Sequence, residues 1–212
     1  MVNNTSKITK IRYEQILTRS FKSDLERFLF ESIFSEQLDN ELLKNVYEQF
    51  ISSAELEEKY LSARQLASDD KLIDYKGLQL SVKQVDELYK EWFKDKVRLN
   101  EYKNLFKIQR FISYEEFISF YEIQGRDKRC QYCGISELEI EELIEKGRIH
   151  TKRLLIRGRS LEIDKKNPNG KYEKDNMTLC CYWCNNAKSD EFTYDEFKPV
   201  GNAIKEIWKK RF

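Results

Sequence analysis

The sequence predicts an α+β, mainly α protein in two parts: an N-terminal helical domain over residues 1–105, and a cysteine-bearing domain over 106–212 in which strands and helices mix. Three observations predict this. Only two prolines and seven glycines interrupt 212 residues, so few positions force a turn and long helices are the default. Apolar residues of the first half recur at three- and four-residue spacing, as one buried helical face requires. All five cysteines fall between 130 and 184, where glycine and basic residues also become frequent. A chain of this length accommodates two small domains.

Composition narrows the class. Charged residues make up 35% and mean hydropathy is −0.73, yet 40% of the chain is hydrophobic and 13% aromatic, which a disordered chain would lack. The apolar runs, such as Leu154 to Ile156, fall far short of the roughly 20 residues that cross a bilayer, and MVNNTSKITK has no apolar signal core. The expectation is a cytoplasmic protein with no membrane partner. The 38 basic and 37 acidic residues nearly balance, which excludes a histone-like protein. Local charge differs: Lys146 to Lys174 holds ten basic residues against three acidic. That surplus reads either as a phosphate-facing surface or as a solvated hairpin.

The elements follow in order. Ile8, Ile11, Ile16, Leu17, Phe21, Leu25, Phe28, Leu29 and Ile33 share one face of a helix over 8–33. The pairs Ser52 with Glu55 and Ser81 with Gln84 are capping boxes, opening helices near 53–66 and 82–103. Val85, Leu88, Tyr89, Trp92 and Phe93 lie at helical spacing in the second and read as core rather than as a stacking platform for bases. Between them LIDYKGLQL reads as a short hairpin or loop. Ser113 with Glu116 starts a helix that Gly125 ends, and Ser136 with Glu139 caps another over 137–146. A hairpin of Arg153 to Arg157 and Ser160 to Asp164 follows, then a polar loop, an apolar strand from Met177 to Tyr182, and a last helix capped by Thr193 and Glu196.

The cysteines carry the sharpest chemistry. Cys130 and Cys133 form one C-x-x-C, Cys181 and Cys184 a second, and 47 residues separate them. Each turn presents two thiolates to one point, and two turns complete the tetrahedron of a structural Zn2+ site. Disulfides are disfavoured in a cytoplasmic chain, and a redox C-x-x-C has no use for a second copy. With four sulfur ligands the metal has no open position, so it staples and does no chemistry. Cys180 is left over and reads as a small apolar core residue.

The run LEIDKKNPNGKYEKDNMTLCCYWCNNAKSD resembles the HNH (His-Me finger, ββα-metal) endonucleases over roughly residues 126–200. The family pattern is Asp-His at the end of a first strand, a loop, Asp-Asn, an apolar strand, then C-x-x-C followed by His or Asn and a Lys. The resemblance implies a zinc-stapled ββα-metal finger that hydrolyses phosphodiester bonds of nucleic acid, DNA foremost. It implies that Asp164 and Asn185 hold a catalytic Mg2+ or Mn2+, that Asn176 fixes the loop, and that Lys188 lies near phosphate. Arg153, Arg157, Arg159 and Lys166 are the other expected nucleic-acid contacts. By analogy with proteins of this two-part organisation, the setting is a bacterial restriction or anti-phage system, with a protein partner such as an ATPase on the helical half.

One position departs from the pattern. Where the family has its general-base His, this chain has Lys165, whose reference pKa of about 10.4 lies roughly three units too high for a base at neutral pH. Four readings stand side by side. Lys165 is a base with a lowered pKa or an electrostatic clamp; Tyr172, Lys166 or His150, the lone histidine, takes the role; catalysis is lost and the finger only binds; or Lys165 belongs to another place in the alignment. The alternative function is accordingly a catalytically inactive HNH-like zinc module that binds nucleic acid or a partner protein.

Overall fold

The three-and-four spacing of the first segment becomes one long helix, α1 (Val2–Phe34), in a computed structural model that describes residues 2–36, 40–66, 68–122, 128–150 and 157–212. After it come α2 (Asn40–Glu48), α3 (Ala54–Arg64), β1 (Leu72–Tyr75), β2 (Leu78–Ser81), α4 (Val82–Trp92), α5 (Lys96–Gln109) and α6 (Tyr114–Glu122). The order continues with α7 (Glu137–Glu145), β3 (Glu162–Lys165), β4 (Met177–Cys180), α8 (Tyr182–Lys188) and α9 (Tyr194–Lys209). The fold is mainly helical α+β, with two small two-stranded antiparallel sheets. It divides into two compact units, Leu17–Phe111 and Met1–Ile16 with Ile112–Phe212. The first sixteen residues thus pack with the cysteine-bearing half, a long-range pairing for which helical spacing carries no signal.

Within 17–111 the core is aromatic. Phe30, Ile33 and Phe34 of α1 pack with Leu56 and Tyr60 of α3, Ile73 and Tyr75 of β1, and Val85 of α4. Each such side chain removed from water stabilises by roughly 1.5–3 kcal/mol. Beside them Tyr102 lies 4.8 Å from Tyr47 and 5.1 Å from Trp92, between ring centroids. The β1–β2 turn puts Lys76 at φ 52° and Gly77 at φ 79°, the two left-handed residues that a tight hairpin with right-twisted strands demands.

Two expectations for this unit need correction. The cap of α3 is Ser53, whose Oγ accepts from the Leu56 amide, while Ser52 donates to Glu57 instead. Adjacent serines are both good N-caps, and only Ser52 has a Glu three residues on, so the box signature points one residue too early. The single helix expected over 82–103 is two, because Asp95 accepts from the Val97 and Arg98 amides and restarts the helix there. Trp92 and Val85 are buried as core residues, as expected.

In the other unit Tyr13 of α1 packs on Tyr114 and Phe117 of α6, at 5.1 and 5.4 Å between centroids. The capping boxes at Ser136 and Thr193 form, and Ser113 and Glu116 exchange the same reciprocal bonds. Strand β3 pairs with β4 in the register Glu162 with Cys180, Ile163 with Leu179, Asp164 with Thr178 and Lys165 with Met177. The apolar run from Met177 does not continue as a strand to Tyr182: Cys181 caps α8, and Tyr182 is already helical. Residues 153–156 of the expected first hairpin, Arg153 among them, lie outside the described residues, as does Gly125.

Candidate functional site

The first C-x-x-C sits in a tight knuckle. The Cys130 amide donates to Ile135, Gly134 closes the turn at φ 77° with its amide on the Cys130 carbonyl, and the Gln131 amide donates to Leu179 of β4. The second pair rides on the start of α8, where the Cys181 thiol accepts from the Cys184 amide. All four thiols are buried, their sulfurs lie within 4.8 Å of one another, and Cys133 Sγ is 3.7 Å from Cys181 Sγ. Four sulfurs at about 2.3 Å from a tetrahedral zinc stand about 3.8 Å apart, so the cluster is compatible with that ion and too open for a disulfide. Among the described residues this is the only such grouping of His, Cys, Asp or Glu. Cys180 is fully buried outside the cluster, and burial pushes its thiol up, as suits a core residue.

Strand β3 aims two carboxylates the same way, since alternate residues share a face. Asp164, 8% exposed, accepts from the Tyr132 hydroxyl at 2.7 Å and faces the Lys188 ammonium at 3.3 Å, both through Oδ2. Tyr132 is the third residue of the first C-x-x-C. Burial and the Asp164 carboxylate push its phenol up, so it stays a donor. Its backbone meets α9 at Gly201, where an added Cβ would stand 2.8 Å from the Tyr132 Cβ and carbonyl oxygen. Lys188 is 0% exposed and also donates to the Lys165 carbonyl at 3.0 Å. Lys188, expected from sequence near phosphate, has an interior side chain that clamps the end of β3 to the last turn of α8.

Glu162, 4% exposed, receives Arg157 as a fork, Nε on Oε1 at 2.8 Å and Nη2 on Oε2 at 2.9 Å. Arg12 of α1 approaches to 3.7 Å and donates to Leu161 O and Ser160 Oγ. Asn185 of α8 donates through Nδ2 to Glu162 Oε2 at 2.6 Å. Burial pushes the Glu162 carboxyl up, but hydrogen bonds from Arg157 and Asn185 and the charges of Arg12 and Arg157 outweigh it, leaving the group below its ordinary value.

The loop between the strands is held by Asn176. Its Oδ1 accepts from the Asn167 amide at 2.8 Å, and its Nδ2 donates to Asn167 and Lys171 carbonyls. Gly170 makes room, since a Cβ there would stand 2.7 Å from that Nδ2. Lys165, next to Asp164, donates from Nζ to the Pro168 carbonyl and lies 5.6 Å from the Tyr172 ring centroid. Lys166 is exposed and donates to the Asp175 carbonyl, Arg159 is exposed and pairs with Glu141, and His150 is exposed. Arg157 is engaged with Glu162 rather than turned wholly to solvent.

Asp164, Lys165, Lys166, Asn176, Cys184, Asn185 and Lys188 therefore gather on one short β-hairpin and the helix after it, but Asp164 and Asn185 have separate partners. Their oxygens are the hard donors that Mg2+ and Mn2+ take, commonly as one or two protein ligands completed by water and phosphate. Three residues of the network were not anticipated. Glu162 is findable from the period-two rule and Tyr132 from its place between zinc cysteines, whereas Arg12, 148 residues from Ser160, has no local signal.

No protein-family model and no curated protein matches the chain. The chain is similar to a solved structure, the rare-cutting HNH restriction endonuclease PacI, described with a mechanism of DNA perturbation. The two are 25% identical, the likeness covers 70% of this chain and 92% of that one, and the TM-score of 0.41 is too loose to place individual residues.

Proposed function

We propose that the protein is a metal-dependent nucleic-acid endonuclease of the HNH type, hydrolysing phosphodiester bonds of DNA. One observation supports this above the rest: an antiparallel β3–β4 hairpin runs into α8 with a buried Asp164 on the first strand, Asn176 pinning the loop and Asn185 on the helix. A four-thiol cluster fixes the start of that helix. Zn2+ at Cys130, Cys133, Cys181 and Cys184 is structural in this reading.

Asp164 and Asn185 would hold the catalytic Mg2+ or Mn2+, which when bound neutralises charge on the scissile phosphate. Asn176 keeps the loop rigid so that Lys165 stands at a fixed place beside Asp164. The Lys165 Nζ donates to a carbonyl and faces an aromatic ring, the partners a cation takes, and in this reading it acts as a clamp on a phosphate oxygen. The attacking water would pass its proton to a non-bridging phosphate oxygen as it bonds to phosphorus, and that proton would go on to the 3′ oxygen as the scissile P–O bond breaks. Arg159 and Lys166, with Arg153, grip flanking phosphates, and binding weakens steeply with salt. A restriction or anti-phage role with an ATPase docked on the helices of 17–111 extends the proposal.

The test is cleavage of supercoiled plasmid with Mg2+ or Mn2+. Wild type is expected to nick it, Asp164→Ala to abolish cutting and Lys165→Ala to slow it. No cutting by wild type under either metal, while DNA binding persists, selects the second reading, an inactive HNH-like zinc module. The Lys188 ammonium on Asp164 favours that reading, since it already counters the carboxylate a metal would use.

A further inference from the structure

An asparagine side chain has one oxygen and one nitrogen of nearly equal shape, and only its surroundings decide which faces where. At Asn185 the deciding group is Glu162, whose Oε2 stands 2.6 Å from Nδ2. A carboxylate forked by Arg157 and approached by Arg12 has only acceptors to offer, so the atom turned toward it must be the nitrogen. Oδ1 is left on the other branch of the amide. Were the neighbour a neutral amide or hydroxyl, either orientation would be satisfied.

We infer that Glu162 is a positioning residue, which turns the Asn185 amide so that Oδ1, the atom a hard divalent cation takes, is the one presented to the metal site. The inference rests on the nuclease reading above. Glu162 occupies the strand position two before Asp164, so a single strand face supplies both the carboxylate for the cation and the carboxylate that sets the second ligand. Arg157 and Arg12 hold the setter. Partners that orient a metal ligand in this way change metal affinity by about 10–100-fold when lost.

Glu162→Gln in the full, zinc-loaded chain keeps the volume and removes the anion. Two readouts follow: the Asn185 side-chain amide protons by nitrogen-15 NMR, and Mn2+ affinity by calorimetry, with zinc content measured alongside. In wild type one Asn185 amide proton is expected to be protected from exchange. In Glu162→Gln that protection is lost and Mn2+ affinity falls at least tenfold with zinc retained. Unprotected wild-type protons, or unchanged Mn2+ affinity in the variant, overturn the inference. A protected proton with no Mn2+ binding in wild type overturns the cation role together with the nuclease reading, which separates that failure from loss of the positioning role alone. Should Glu162→Gln unfold, Arg157→Lys gives the same comparison, because it leaves the carboxylate and removes the fork, with a smaller loss of affinity expected.

Discussion

The two units are held together by different physics. In 17–111 the interior is a set of rings and aliphatic side chains, and the one buried charge among its described residues, Glu26, is matched by the Tyr60 hydroxyl and Arg64. In the other unit the interior carries Arg12, Lys128, Glu162, Asp164 and Lys188 around four buried thiols. Apolar burial is forgiving of detail, because it is proportional to area and has no direction. A buried charge network is not forgiving, since each group left without its partner retains a desolvation penalty that nothing offsets. Exacting geometry is what a reactive site needs, and it is concentrated where the candidate site is.

The largest expected break in this contrast is at the thiols. Structural zinc sites contribute on the order of 10 kcal/mol of folding free energy. Cys184→Ser should therefore lose the metal and open residues 112–212 to protease while 17–111 resists, as metal analysis and mass mapping of the fragments will show. Next is Lys188→Met, which strands Asp164 and should cost roughly 3–5 kcal/mol in urea denaturation. Adding Asp164→Asn should recover a good part of that. Equal stability of the single and double variants would mean the pair is not internal.

Gly201→Ala drives a methyl into the Tyr132 backbone and should cost about 1–3 kcal/mol, read from the same denaturation curves. The gentlest test probes the apolar unit by pH. Tyr102 is enclosed by Tyr47 and Trp92, and burial pushes its phenol up to about 12. The protonated form is thus favoured on folding. Its contribution is complete below the unfolded value of about 10 and disappears as pH rises from there to about 12. Tyr102→Phe should flatten that part of the stability profile.

Legibility in the sequence divides along the same line. Helix α1, the Trp92 and Val85 core positions and the boxes at Ser81, Ser136 and Thr193 are local patterns, and they form as written. The cysteine cluster was legible because thiol spacing reports geometry directly. Asp95 was passed over because a cap inside a helical pattern looks like one more polar residue. The burial of Lys188 against Asp164 was not legible, because a lysine's sequence neighbours do not reveal whether a carboxylate awaits it inside. Arg12 was invisible, since its partners lie on another element entirely.

That last contact has a consequence for how the molecule is made. Arg12 leaves the ribosome well ahead of Ser160 and Leu161, which follow 148 and 149 residues later. A guanidinium destined for the interior must wait, hydrated, until those residues emerge, and bringing such distant points together costs chain entropy before any contact rewards it. The segment 17–111 has no such delay. Maturation of the cysteine-bearing half is accordingly expected to be the slow kinetic phase, and in a growing chain the hairpin that carries Asp164 comes under control of Arg12 only after the whole of 17–111 has been made.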